Sequence, residues 1–93
     1  MRTVKYTSRF KRDYRREQSG QHSKKLDKLL MDVVNLLAAD KILPTRNVDH
    51  ALTGEWVDHR DCHLRPDLVL IYRKPDDETL ELVRLGSHSE LGL

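Results

Sequence analysis

The sequence predicts an α+β domain in which two helices pack against a mainly antiparallel sheet. Three observations carry this prediction: polar and apolar residues alternate near the start, an apolar stripe with helical spacing follows, and the second half contains three strand-like segments. The predicted order is therefore strand, helix, helix and three strands, an order typical of the α+β class. A chain of 93 residues is expected to form one domain, residues 1–93.

The N-terminal quarter predicts a strand followed by a helix. Residues 2–6 alternate polar and apolar side chains and place Val4 and Tyr6 on one face, as in a short strand. Ser8 is predicted to cap a first helix that carries Phe10 and Tyr14 four residues apart. We expect this helix to run to about residue 18.

The next segment predicts a second helix with one side in the core. Ser23 is the predicted cap of this helix. Its apolar stripe is the strongest periodic feature of the chain and consists of Leu26, Leu29, Leu30, Val33, Val34 and Leu37. From Pro44 we expect an irregular connection to about Thr53.

Three strands are predicted over residues 55–63, 67–73 and 80–85. The second is apolar on both faces, so it should lie at the centre of the sheet. A hairpin turn over residues 64–66 would place His63 opposite Asp67, and the next hairpin would place Asp67 opposite Leu85. Asp67 is then predicted to lie beside His63 and near Arg84, and His88 can fold back to the same edge.

These polar groups suit cleavage of RNA by attack of a ribose 2′-OH on the adjacent phosphate. Histidine can act as acid or base near neutral pH, and a neighbouring carboxylate can orient it or act as base itself. The guanidinium fork matches phosphate oxygens. Each residue also has a structural interpretation: His63 and Asp67 as a cross-strand pair, Arg84 bound to Glu81 or Asp67, and His88 as a loose terminal residue.

The charge distribution is uneven although the net charge is only +2. Nine cations lie within residues 1–25, against the two anions Asp13 and Glu17. This basic end predicts a phosphate-rich or acidic partner, and its alternative interpretation is a solvated helix face. The cations expected to share one exposed surface are Lys5, Arg9, Arg12 and Arg16.

Several other classes are disfavoured. No apolar stretch approaches the roughly 20 residues of a membrane span, and the charged residues after Met1 predict no secretory signal. The single cysteine, Cys62, excludes an intramolecular disulfide and suits a reducing cytosol. His59 and His63 lie about 13 Å apart if they share a strand, too far for one ion. We therefore expect no metal ion and no cofactor.

Four motifs carry a family resemblance. They are His50-Ala-Leu-Thr-Gly-Glu-Trp56, Arg60-Asp-Cys-His63, Pro66-Asp-Leu-Val-Leu-Ile-Tyr72 and Arg84-Leu-Gly-Ser-His-Ser-Glu-Leu91. Together they resemble the YafQ branch of the RelE toxins. The strongest matches cover residues 48–91, whereas the N-terminal strand and helices fit only in order and length.

The resemblance implies a RelE-like fold and a cytoplasmic, ribosome-dependent endoribonuclease that cuts mRNA in the ribosomal A site. It implies neutralisation by an antitoxin protein, with operator DNA contacted only through that antitoxin. The implied catalytic residues are His50, His63, Asp67 and His88, with Arg84 on phosphate, and His50 rests on the resemblance alone. The residues expected to contact RNA or the ribosome are Lys5, Arg9, Arg12, Arg16 and Arg60.

The sequence departs from the family pattern at two positions. Gly92 stands where an aromatic residue is usual, which removes an expected stacking contribution to the substrate base unless Leu93 substitutes for it. Leu68 stands where several relatives have tryptophan. Two alternatives stay open at this point. One is a ParE-like protein that poisons DNA gyrase by binding, a group that lacks these histidines. The other is a catalytically silent relative that only binds an antitoxin.

Overall fold

A five-stranded sheet forms the centre of the computed structural model, which describes residues 1–93. Its strands are β1 (Thr3–Tyr6), β2 (His50–Ala51), β3 (Arg60–Arg65), β4 (Leu68–Arg73) and β5 (Thr79–Gly86), in the spatial order β1-β5-β4-β3-β2. The helices are α1 (Ser8–Gln18), α2 (Leu26–Ala38) and α3 (His88–Leu91). Only β1 runs parallel to its neighbour, so the predicted α+β class with a mainly antiparallel sheet is confirmed.

The two faces of the sheet bury different amounts of apolar surface. β4 is central, as predicted, and residues 68–72 are all buried. Leu68, Leu70 and Tyr72 point toward α1 and α2 and belong to a core cluster of 16 buried residues. Val69 and Ile71 point the other way and form a cluster of only three buried residues with Leu91 of α3. The second face is therefore thinly covered. None of the helices combines the length and the apolar character that crossing a membrane requires.

Both predicted helix caps are wrong by one or two residues. The Thr7 side chain, not Ser8, accepts a hydrogen bond from Phe10 N at 3.0 Å. Thr7 also donates to Val83 O at 2.7 Å, so one hydroxyl caps α1 and ties it to β5. α2 starts after Lys25, which has a left-handed φ of 66° and makes no side-chain cap, so Ser23 lies outside the helix. The apolar stripe of α2 faces the core as predicted.

The first predicted strand of the second half begins too early. Residues 54–56 form a 3-10 turn, and Asp58 has a positive φ of 67°, which prevents a continuous strand from residue 55. β3 therefore begins at Arg60. The segment expected to be irregular contains the short strand β2, which pairs with β3 through His50↔Asp61. β4 and β5 agree with their predicted bounds to within one residue.

Asp13 fastens α1 to the end of β5. Its side chain is 6% exposed and accepts hydrogen bonds from Arg84 Nε at 2.7 Å, Arg84 Nη2 at 3.2 Å and Leu85 N at 3.0 Å. Arg16 Nη1 adds a fourth contact at 3.1 Å. Burial raises the pKa of Asp13, but these hydrogen bonds and the two arginine charges outweigh burial, so the pKa lies below its ordinary value.

We predict that Asp13→Ala lowers the free energy of unfolding by about 2–4 kcal/mol, because it leaves the Arg84 guanidinium without its partner. The lowered pKa makes this contribution present above the ordinary carboxyl pKa of about 4 and lost as the pH falls further. Urea unfolding at pH 7 and pH 3 measures both effects. Asp32→Ala, which breaks an exposed pair with Lys28, is the control and should cost less than about 0.5 kcal/mol. An equal loss from both variants would contradict the role given to Asp13.

Candidate active site

Three histidines lie together on the thinly covered face of the sheet. His50 comes from β2, His63 from β3 and His88 from the first turn of α3. Along β3, Cys62 and Leu64 enter the helix-side core, so Asp61 and His63 point to the opposite face. The sequence thus separates the polar site from the main core by strand alternation alone.

His50 and Asp61 form the first histidine–carboxylate contact. They are register partners in β2 and β3, and His50 Nδ1 lies within ion-pair distance of Asp61 Oδ1. That oxygen is buried and makes no regular hydrogen bond, while the His50 side chain is 56% exposed. Burial raises the pKa of Asp61, and the nearby His50, His63 and His88 oppose this rise only in part.

His88 and Asp67 form the second contact. Asp67 Oδ1 lies 2.7 Å from His88 Nδ1 and accepts the His88 backbone N–H at 3.0 Å. The backbone N–H and then the side chain of His88 hold the pKa of Asp67 below its ordinary value. The His63 ring meets the His88 ring edge-on, with centroids 5.1 Å apart. All three imidazoles therefore belong to one cluster, and two of them have a carboxylate on Nδ1.

His88 is not a loose terminal residue, because a capping box fixes its helical turn. Ser87 accepts from Glu90 N at 3.2 Å, and Glu90 Oε1 accepts from Ser87 N at 2.9 Å. Leu91 anchors the turn in the small apolar cluster. The helix ends at Gly92, whose φ of 73° is left-handed, and a side chain there would meet no atom within 4 Å.

The predicted register at Asp67 is wrong. Asp67 lies in the two-residue turn between β3 and β4, so His63 pairs with Val69 instead. A register shift between residues 63 and 65 tightens this hairpin, and Leu85 pairs with Leu70. Asp67 still reaches the site because α3 brings His88 to the turn. Asp67 therefore joins the histidines through His88 of α3 and not through pairing between β3 and β4.

Arg84 has neither of the partners predicted for it. A register shift in β5 places it opposite Ile71, and its guanidinium turns toward α1 to bind Asp13. Glu81 pairs with Arg73 instead. Arg84 is therefore not beside Asp67, although it lines a cavity together with Ser89 and Gly92 around α3.

The expected RNA-binding cations come from three different elements. Arg9, Arg12 and Arg16 lie along α1, where Arg16 is engaged by Asp13, Glu17 and Glu90. Arg60 lies at the start of β3 and binds Asp49 at 3.2 Å, beside the connection that follows α2. Lys5 lies on the edge strand β1, opposite Glu81.

No group of three or more His, Cys, Asp or Glu side chains is arranged to hold a metal ion. His59 Nδ1 lies 3.0 Å from Val57 O, and its ring contacts Trp56. Cys62 is fully buried in the helix-side core, which raises the pKa of its thiol.

Comparison with known proteins identifies the family. The model of the bacterial toxin of type II toxin–antitoxin systems, YafQ, matches residues 2–92. The chain belongs to the YafQ toxin family. The mRNA interferase toxin YafQ of Escherichia coli is 33% identical over 90 residues, covering 97% of this chain and 95% of that protein.

Solved YafQ structures have the same fold. The E. coli DinJ–YafQ complex contains a chain of 32% identity and TM-score 0.83, with 98% of each chain covered. A metal-bound toxin from Helicobacter pylori is 41% identical with a TM-score of 0.82, covering 98% of this chain and 99% of that one. The match to YafQ thus covers nearly the whole of this chain and of the YafQ chains, and it includes the segments that carry the three histidines.

Asp61 and Asp13 are the two site carboxylates that sequence reasoning missed. Asp61 belongs to the motif Arg60-Asp-Cys-His63. It precedes His63 by two residues, which places Asp61 and His63 on one face of the strand. Asp13 and Glu17 are the only anions of the basic segment, and their spacing of four puts both on one side of α1, where both are buried. Both spacings were visible in the sequence.

We predict that replacing Asp61 and replacing Asp67, the two carboxylates in contact with the histidines, have opposite effects on the free energy of unfolding at pH 8. The raised pKa of Asp61 means that ionisation destabilises the folded state above that pKa, so Asp61→Asn should raise the free energy of unfolding by roughly 0.5–2 kcal/mol. The lowered pKa of Asp67 means that its charge stabilises the folded state above the ordinary pKa, so Asp67→Asn should lower stability. Urea unfolding compares the two variants. A loss of stability in Asp61→Asn would contradict this account of its burial.

Proposed function

We propose that this protein is a toxin of a type II toxin–antitoxin pair that cleaves mRNA. The observation that carries the proposal is the cluster of two histidine–carboxylate contacts and a third imidazole on one accessible sheet face. The E. coli relative that is named an mRNA interferase toxin supports this activity. The DinJ–YafQ complex supports neutralisation by an antitoxin protein.

The proposed reaction is an attack of the ribose 2′-OH on the adjacent phosphate. In each histidine–carboxylate contact the carboxylate engages Nδ1, which leaves Nε2 for the substrate. His88, held by Asp67, gives a proton to the leaving 5′ oxygen. The 2′ proton passes to one of the remaining bases of the cluster, His50 or His63. The products are a 2′,3′-cyclic phosphate and a 5′-hydroxyl end.

Arg84 is the proposed cation for charge developing on the phosphate. Its side chain is only 13% exposed, and the two bonds to Asp13 fix the plane of the guanidinium. A cation that is already oriented stabilises a transition state without further reorganisation. We propose that no metal ion is needed, because the substrate supplies the nucleophile and the histidines transfer the protons.

The proposed place of action is the ribosome in the cytoplasm, with mRNA presented in the A site. The unpaired cations of the N-terminal half, among them Arg9 and Arg12, contribute affinity for RNA, and the antitoxin provides any contact with operator DNA. Positive charges on a protein surface attract polyanions such as RNA over a distance that is set by the ionic strength.

The decisive test uses translating ribosomes and an mRNA whose scissile nucleotide carries a 2′-O-methyl group. We predict that this substrate is bound and not cleaved, because the nucleophile is blocked, while the unmodified mRNA is cut to a 2′,3′-cyclic phosphate. Chelators should leave cleavage unchanged when magnesium is rebalanced for the ribosome. Mapping the mRNA ends measures both results.

Three outcomes of that experiment would contradict the proposal in different ways. Cleavage of the 2′-O-methyl mRNA would mean that water is the nucleophile. Loss of cleavage on chelation would mean that a metal ion takes part. No cleavage of any mRNA would favour a silent antitoxin-binding relative, and inhibition of gyrase in addition would favour a ParE-like protein.

We further predict that His88→Ala lowers cleavage by about 10²–10⁴-fold, the range typical of a positioned proton donor. The fold should persist, because Leu91 and the capping box hold α3 without the imidazole. His22→Ala is the control, since the His22 ring hydrogen-bonds only Gln21 and reaches Asp67 through its charge alone, without a bond to the cluster. Single-turnover cleavage and circular dichroism are the readouts. Normal cleavage by a folded His88→Ala variant would overturn the assignment.

A further inference from the structure

Two adjoining cavities form a groove between α1 and α3. The first, about 470 Å³, is lined only by charged residues, namely Arg9, Arg12, Asp13, Arg16 and Arg84. The second, about 430 Å³, shares Arg9 and Arg84 with the first and extends to Trp56, Leu91 and Gly92. We call the two together the arginine groove.

The arginines of the groove differ in whether their side chains are already bound to other groups. Arg16 is fully engaged, since its Nη2 donates to Leu85 O at 2.9 Å and its other nitrogens contact carboxylates. Arg9 and Arg12 are exposed, and neither takes part in an ion pair or side-chain hydrogen bond. The groove therefore combines two ion-paired arginines, Arg16 and Arg84, with two unpaired guanidinium groups, which supply its positive charge.

Arg84 lines both cavities of the groove, and one of its side-chain nitrogens makes no hydrogen bond within the protein. Its Nε and Nη2 donate to Asp13, whereas its Nη1 makes no hydrogen bond. Because Asp13 is itself held by Leu85 N and Arg16, the guanidinium cannot rotate without breaking several bonds. An arginine fixed in this way is suited to binding a phosphate oxygen.

The second cavity of the groove has an apolar part that the first cavity lacks. Trp56 and Leu91 pack on the apolar cluster of the site face and also line the second cavity. Ser89, Gly92 and two carboxylates, Glu55 and Glu90, complete this end. Glu90 is bound by Ser87 N and Arg16, and the same short helix begins with His88. A ligand that filled the groove would thus lie on arginines at one end and on apolar surface beside the catalytic histidine at the other.

We propose that the arginine groove binds the mRNA strand next to the scissile bond. Arg9 and Arg12 take backbone phosphates of the flanking nucleotides, and the Trp56–Leu91 wall takes the sugar or base beside them. Arginines combined with an aromatic wall are the usual means of holding single-stranded nucleic acid. Each cavity lies within the range of about 300–1,000 Å³ typical of small-ligand sites, so it can hold a nucleotide but not a duplex. This inference rests on the proposed RNA cleavage and assigns two of the basic residues to mRNA rather than to ribosomal RNA.

The test measures binding of a short 2′-O-methyl RNA by fluorescence anisotropy, away from the ribosome and over a range of salt concentrations. The Arg9→Gln/Arg12→Gln double variant should bind on the order of tenfold more weakly at low salt. The slope of log affinity against log salt should fall by about 0.7 for each phosphate that the variant no longer neutralises. Lys24→Gln/Lys25→Gln removes the same charge from the turn before α2 and should leave affinity and slope nearly unchanged.

A second measurement separates the two kinds of RNA. Ribosomes without mRNA should bind the arginine double variant as tightly as the unmodified protein. Equal weakening of oligonucleotide binding by both double variants would overturn the proposal, because net charge alone would then explain it. Weaker binding to empty ribosomes with unchanged oligonucleotide binding would assign Arg9 and Arg12 to ribosomal RNA. The binding readout does not require cleavage, so a failure of the proposed catalytic activity would be visible separately.

Discussion

The buried contact between Asp13 and Arg84 is the interaction on which the arrangement of this protein depends. It joins the first helix to the last strand, two elements 71 residues apart in sequence. The same carboxylate fixes the backbone at Leu85, directly before the chain turns into α3. A single anion therefore sets the position of the basic helix, the direction of one guanidinium and the start of the segment that bears His88. Replacing a buried pair by apolar residues often preserves stability, but here it would also remove the fixed guanidinium and the carboxylate that holds Leu85 N.

The two carboxylates of the histidine cluster are held in opposite ways. Asp67 is exposed and receives two hydrogen bonds from His88, so its charge is stabilised locally. Asp61 is 2% exposed and lacks a regular hydrogen bond on Oδ1, so its charge depends on the surrounding imidazoles. Buried, poorly paired carboxylates are unfavourable for folding and recur where a protein needs a particular charge near a reacting group. The apolar cluster beneath this face has only three buried residues, so it contributes little folding free energy to offset the buried charge of Asp61.

The sequence predicted the elements better than their contacts. Periodicity was sufficient for α2 and for the central strand, because burial repeats with the period of each element. It could not predict β2, whose two residues show no period, or α3, where one capped turn is too short to produce a stripe. The pairing of Asp67 depended on turn length. The turn comprises residues 66–67 and not 64–66, so His63 pairs with Val69, two residues beyond the predicted partner. The predicted turns placed His63 and His88 at one edge of the sheet, whereas His50 followed from the family resemblance alone. The partner of Arg84 lay in a distant helix and could not be read from neighbouring residues.

The left-handed glycine at the end of α3 has an evolutionary consequence. At φ 73° glycine carries no steric penalty, whereas a side chain with a Cβ costs roughly 1–2 kcal/mol there even though the surrounding space is open. An aromatic residue at position 92 would therefore carry this cost, as the other side chains at a positive φ do, unless the last turn of α3 also changed. A single substitution at Gly92 is thus less favourable than one accompanied by a change in that turn. Variation at position 92 and in the last turn of α3 should be correlated among related sequences.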